Sequence, residues 1–114
     1  MGQYYVIANL DKREYLKPHD FNEGAKLLEF IYSQDSIMTG LGLLLAQCDS
    51  SGSGDARPHP LLGSWAKDRI TIVGDYWEQE DQSTLGKHET LYQLIKEEFA
   101  NISDSVKQWL EEID

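Results

Sequence analysis

The sequence predicts an α+β domain: a small three-stranded sheet, made of an N-terminal hairpin and a later strand, with about four helices in the order β-β-α-α-β-α-α. Two observations carry this. Tyr4 to Ala8 and Arg69 to Val73 are aromatic or β-branched runs of strand length. Four further stretches, around Asp20–Tyr32, Ile37–Gln47, Leu91–Phe99 and Val106–Ile113, carry apolar residues at helical spacing or in helix-length runs. Strands parted by helical segments then indicate one sheet with helices laid over one face. The 114 residues make a single domain, residues 1–114. Folding a chain of this size removes roughly 65% of its unfolded surface from water, enough for a core without staples.

Tyr4 to Ala8 is apolar on both faces, the mark of a central strand. Asn9, Asp11 and Lys12 supply turn chemistry, and Glu14 to Leu16 resumes an extended pattern that Pro18 ends. A hairpin follows. Asp20 with Glu23 resembles a capping box, opening a helix with Leu27, Leu28, Ile31 and Tyr32 on one face. Asp35 or Ser36 caps the next helix, Ile37 to Gln47, which is apolar nearly all round and therefore buried. Gly40 and Gly42 within it mark a close approach of another backbone. Asp49 to Pro60, rich in Ser, Gly and Pro, has nothing to bury and reads as a flexible loop. A short helical turn around Leu61 to Ala66 leads to the strand Arg69–Val73, in which Ile70 and Ile72 face the core. An acidic connection, Trp77 to Gln82, precedes two amphipathic helices. Their stripes are Leu91, Leu94, Ile95 and Phe99, then Val106, Trp109, Leu110 and Ile113 after a cap at Ser103 or Ser105.

The formal net charge is −10, from 20 acidic and 10 basic residues. Nucleic-acid phosphate and anionic membrane surfaces are thereby disfavoured, because both attract Lys and Arg. The surplus is uneven: residues 1–76 hold 10 acids against 7 bases, and residues 77–114 hold 10 against 3. Cys48 is the sole cysteine, so no internal disulfide forms, and the expected location is cytoplasmic. Following Leu43, Leu44, Leu45 and Ala46, it reads as a small buried hydrophobe. His19, His59 and His88 show no metal-ligand spacing, and neither a metal nor a cofactor is expected.

Two motif-like segments stand out: Met1-Gly2-Gln3-Tyr4-Tyr5 with Asn9-Leu10-Asp11-Lys12 and Pro18-His19, and Trp65-Ala66-Lys67-Asp68-Arg69-Ile70 with Val73-Gly74-Asp75-Tyr76. These segments resemble a family of small uncharacterised proteins with an MGQY…NLDK…PH start and a GxWAGDRI…VGDY segment. Lys67 stands where that pattern has Gly. The resemblance joins the two segments into one unit and implies no activity.

Two function classes follow. Asp11, Asp68 and Asp75 lie at turns or strand ends, where neighbouring first and third strands would bring them toward Arg69, Lys12 and His19. Asp11, His19, Asp68, Arg69 and Asp75 would then line the cleft of a small hydrolytic enzyme. Asp at a turn also bonds its own backbone, and Arg69 also pairs structurally. Among the aromatic residues, Trp65 and Tyr15 are expected in the core. Trp77 differs, because Glu78, Gln79, Glu80 and Asp81 follow it. Tyr76, Trp77, Glu78, Glu80 and Asp81, with the acidic C-terminal helices, would bind a basic protein partner. The leading expectation is therefore a non-catalytic acidic interaction module.

Overall fold

The computed structural model describes residues 4–47, 59–75 and 90–113. Strands β1 (Tyr5–Asn9) and β2 (Glu14–Leu16) form the expected hairpin, and β3 (Ile70–Gly74) pairs antiparallel with β1 along its whole length. A fourth strand, β4 (Ala100–Asn101), pairs parallel with β2, so the sheet is mixed, with order β3-β1-β2-β4. The three-stranded expectation missed β4. Two exposed residues between helices carry no period-2 signal, and the strand exists through two long-range bonds, Ala100 N–H to the Arg13 carbonyl and Ile102 N–H to the Tyr15 carbonyl.

Four α-helices complete the fold: α1 (Leu27–Ile31), α2 (Ile37–Leu45), α3 (Leu91–Glu98) and α4 (Ser103–Ile113). They cover both faces of the sheet, which corrects the one-face expectation. On one face Ile7 and Leu16 pack with Phe30, Ile37, Leu41, Leu44, Trp65, Val106 and Trp109. On the other, Val6, Ala8, Tyr15 and Val73 pack against Leu91, Leu94 and Ile95 of α3. The doubly apolar pattern of Tyr4 to Ala8 has this cause: β1 is central, and helices cover both of its sides.

β3 is a strand, but its isoleucines are not its main anchor. Ile72 is 37% exposed while Val73 is 3% exposed, because β3 is an edge strand and Val73 faces α3. Five paired residues and one well-buried valine hold the segment.

The region after Pro18 departs most from expectation. Pro18 opens a 3-10 turn, Pro18–Phe21, closed by Asn22 in the left-handed region at φ 62°. Asp20 therefore lies within that turn instead of capping a helix. The α-helix begins nine residues after Pro18, where Lys26 N–H donates to Glu29 Oε1 at 3.0 Å. Tyr5 N–H donates to the Ala25 carbonyl at 2.9 Å, fixing the start of α1 beside β1 so that Phe30 enters the core against Tyr5. Residues two apart on a helix point about 200° apart. Burying Phe30 thus turns Leu28 and Tyr32 outward; of the four residues read as the core stripe, Leu27, Leu28 and Tyr32 are exposed and Ile31 packs against the core.

Residues 60–67 form successive turns that cap α2. Gly63 and Trp65 N–H groups donate to the Leu43 and Leu44 carbonyls, each at 2.9 Å, satisfying acceptors a helix end leaves open. Lys67 adopts φ 68°, the left-handed region that Gly occupies without strain. Cys48, His88, most of the Ser/Gly-rich loop, and Tyr76 to Asp81 lie outside the described residues.

Candidate functional site

The hairpin turn and the start of β3 meet in a polar clasp. Asn9, fully buried at the end of β1, accepts from Asp11 N–H at 2.9 Å and Lys12 N–H at 2.8 Å through Oδ1. Its Nδ2 donates across to Asp68 Oδ2 at 2.9 Å, which also receives Lys12 Nζ at 2.5 Å. Asp11 is held by Arg69 in two ways: the backbone N–H donates to Oδ2 at 2.8 Å, while Nε and Nη2 both reach Oδ1 at 2.9 Å. Leu10 N–H to the Arg69 carbonyl, 2.9 Å, closes the junction. The turn chemistry of Asn9 was legible. Its second role, bridging to Asp68, depends on β1 and β3 being neighbours 59 residues apart in sequence.

These bonds set the electrostatics. The Arg69 backbone N–H, then its guanidinium, holds the Asp11 carboxyl below the usual carboxylate value. Asn9 first and Lys12 second do the same for Asp68. General acid–base work at neutral pH requires a carboxyl pushed upward, so both shifts run the wrong way for it. With both Asp11 oxygens engaged, the clasp is arranged to join hairpin and strand.

A pH test follows from the sign of these shifts. Both folded-state values lie below the reference of 3.8, so the clasp's stabilisation is fully present above that pH. It is lost as pH falls from there through the folded values. Thermal unfolding of wild type and Asp68→Asn, followed from about pH 6 to about pH 2, should show a difference that is constant at first and shrinks only below about pH 4. A difference that fades already between about pH 6 and 5 would contradict the assignment.

Of the five residues expected to share a cleft, the structure joins Asp11, Asp68 and Arg69. Asp75 lies beyond the opposite end of β3, whose five residues span about 13 Å at about 3.3 Å each. There Asp75 Oδ1 accepts from Tyr4 N–H at 3.2 Å, and the Tyr4 ring lies 6.1 Å from that of His19. The separation corrects the expectation of convergence: antiparallel neighbours bring the near tips together and leave the far tip a strand length away.

Asp75 instead borders a second polar group beside α3, which the sequence reading did not identify, while His19 sits in the 3-10 turn beside the Tyr4 ring. Lys17, at the end of β2, donates its N–H to Ser103 Oγ at 2.7 Å. Asp20 accepts from Asn101 Nδ2 at 2.8 Å. The Lys96 ammonium sits 5.7 Å from the centre of the Tyr92 ring. Burial, then the adjacent Lys17, holds Lys96 below the ordinary lysine range, with Asp20 opposing. Burial pushes Tyr15 up, with Asp20 adding and Asn101 opposing. Burial also raises Tyr92, ahead of Asp75 and Tyr15. Only the i, i+4 pairing of Tyr92 and Lys96 was visible in sequence.

Among the described residues no cluster of His, Cys, Asp and Glu is arranged to hold a metal ion. No helix among them is long and apolar enough to cross a membrane. A shallow depression of about 190 Å³ lies among Phe21, Asp35, Ser36, Lys107, Leu110 and Glu111. It is smaller than the ~300 Å³ at which small-molecule sites begin, and suits a single side chain. No family model, no curated protein and no solved structure matches the chain.

Proposed function

We propose that the chain is a non-catalytic interaction module that binds a basic protein partner through the exposed face of α1. One observation carries this reading. Leu28 and Tyr32, one helical turn apart, are 65% and 76% exposed, and Leu27 beside them is 37% exposed. Apolar side chains in such a group favour being covered, and nothing in the described fold covers them. Exposed Glu29 and Asp35 and half-buried Glu23 lie close to them in sequence, as does one base, Lys26, and Lys107 and Glu111 line the depression that Asp35 joins. An apolar centre with an acidic rim complements a surface carrying Leu or Phe among Lys and Arg. Asp35 also joins the shallow depression, which has room for one partner side chain. The acidic connection Tyr76 to Asp81, expected as the partner surface, lies outside the described residues and enters as a separate arm of the test.

The probe is a synthetic amphipathic Lys/Leu helix, titrated into the full chain by fluorescence anisotropy. Wild type should bind it, more weakly at high salt, because exposed charges are screened within about a Debye length. Leu28→Glu/Tyr32→Glu should abolish binding while stability stays within about 0.5 kcal/mol, as for surface changes generally. Undiminished binding in that variant would defeat the α1 assignment. Loss on Trp77→Ala alone would move the surface to residues 76–81.

A further inference from the structure

The sheet ends in two edges of different kind. On one side β4 is two residues long, too short to template a further strand. On the other, β3 offers five residues, Ile70 to Gly74, with neither a charge nor a proline among them. Unpaired N–H and C=O groups along an edge invite pairing with another chain, and such residues are the usual guard against it. We propose that the open edge of β3 pairs antiparallel with β3 of a second copy, joining the two four-stranded sheets into one across a two-fold axis at Ile72.

The register follows from which backbone groups β1 leaves unused. Leu10 N–H donates to the Arg69 carbonyl and Asp75 N–H to the Tyr4 carbonyl, each at 2.9 Å. Residues 69 and 75, and by alternation 71 and 73, therefore turn their backbone groups toward β1. Those of Ile70, Ile72 and Gly74 point to the open side, where nothing among the described residues bonds them. Centring two copies on Ile72 sets Ile72 opposite Ile72 and Ile70 opposite Gly74, and each such pair exchanges both of its bonds. Sliding the second copy by one residue would oppose these groups to ones already bonded to β1. Sliding it by two leaves one of them without a partner in the strand.

The side chains agree with this register. Ile72 shares a face with its neighbour Ile7, yet it is 37% exposed, and Ile72 of the second copy would cover it. Arg69 stands just before the strand and Asp75 just after it, so the centred pair sets Arg69 of each copy opposite Asp75 of the other. Arg69 holds Asp11 with its side chain still 73% exposed, and Asp75 uses Oδ1 alone on Tyr4 N–H. Repulsion between two chains of net charge −10 opposes the contact but is screened beyond about 8 Å at physiological salt. A five-residue edge is small beside the ~1,200–2,000 Å² of stable interfaces, so the association is of the weak, concentration-dependent class.

Sedimentation of the full chain at physiological salt, from about 10 μM to about 1 mM, spans that class. The mass should rise from 13.0 kDa toward twice that value. Amide hydrogen exchange over the same range should show Ile70, Ile72 and Gly74 gaining protection, while Thr71 and Val73, bonded to β1, are protected throughout. Ile72→Lys, at an exposed position, places like charges directly across the axis and should weaken association roughly tenfold or more. Asp75→Arg and Arg69→Asp should each weaken it, and mixing the two variants should restore it, because the mixed pair again opposes unlike charges at both ends. Should Arg69→Asp fail to fold, Ile72→Lys and the exchange pattern decide the matter. A mass fixed at 13.0 kDa, or undiminished association of Ile72→Lys, would overturn the pairing. So would protection of all three amides at every concentration, which would mean that the same chain covers its own edge. Leu28→Glu/Tyr32→Glu should self-associate like wild type; loss of association there would assign the contact to α1 instead, so the two surfaces are tested separately.

Discussion

Trp65→Ala should lower the stability of the domain by about 3–5 kcal/mol, the largest effect expected of any single change in the described fold. Trp65 is fully buried in the core formed with Ile7, Leu16, Phe30 and Leu44. Its indole Nε1 donates to Glu14 Oε1 at 2.8 Å, and its backbone N–H caps α2 at Leu44. One residue therefore ties the 60–67 turns to β2 and α2. Truncation removes most of an indole and leaves a cavity that β1, β2 and α2 cannot all close, because each is fixed by its own bonding. Against a total stability of about 5–15 kcal/mol, such a loss leaves a marginal fold. Trp65→Phe isolates the polar part: most of the volume stays, the bond to Glu14 goes, and the expected cost is about 1–2 kcal/mol beyond the change in packing. Urea denaturation followed by circular dichroism, with a common slope, measures both. A loss under about 1.5 kcal/mol for Trp65→Ala would show that the indole is not the joint the structure describes.

The same residue shows what the sequence makes legible. Trp65 could be assigned to the core because a large apolar side chain beside a strand rarely stays wet, but its partner, Glu14, is 51 residues away. Strand β1, the hairpin, α2, α3 and α4 were readable because each carries a sustained local pattern. Helix α1 shows the limit. Its five residues and the Tyr32 that follows offer both the stripe Leu27, Leu28, Ile31 and Tyr32 and the single aromatic Phe30, so either face could be the inner one. The choice is made by the Tyr5–Ala25 backbone bond, a contact no local window contains. At the clasp, Asp11, Asp68 and Arg69 could be anticipated as neighbours once β1 and β3 were paired. That they neutralise one another follows only from the positions of individual oxygens and nitrogens. The polar group beside α3 gave little signal, because only Tyr92 and Lys96 share a local window, while Asp20 and Asn101 meet from elements 81 residues apart.

Gly40→Ala and Gly42→Ala, two residues apart in α2, should change stability in opposite directions. A Cβ on Gly40 would lie 2.6 Å from Val106 Cγ1, closer than packing permits, whereas a Cβ on Gly42 meets nothing within 4 Å. Alanine in place of an interior helical glycine gains about 1 kcal/mol from reduced backbone freedom and better helix propensity. Gly42→Ala should keep that gain. Gly40→Ala should lose it and more, for a net cost of about 1–2 kcal/mol, because overpacking costs about 1–3 kcal/mol. Val106 cannot easily yield: it is fully buried, and its branched Cβ is confined to one helical rotamer. Close approach was expected at both glycines. It occurs only at Gly40, against a side chain of α4, because Gly42 lies on the outer side of α2. The pair Gly40→Ala/Val106→Ala supplies the decisive comparison. Val106→Ala alone should cost about 2 kcal/mol through its cavity, yet in the Gly40→Ala background the added methyl occupies part of that space. The double variant should thus be more stable than the sum of the singles by about 1 kcal/mol or more. Strict additivity, or equal effects at Gly40 and Gly42, would mean that α2 and α4 do not meet through this glycine. The packing of one face of the sheet would then need a different account.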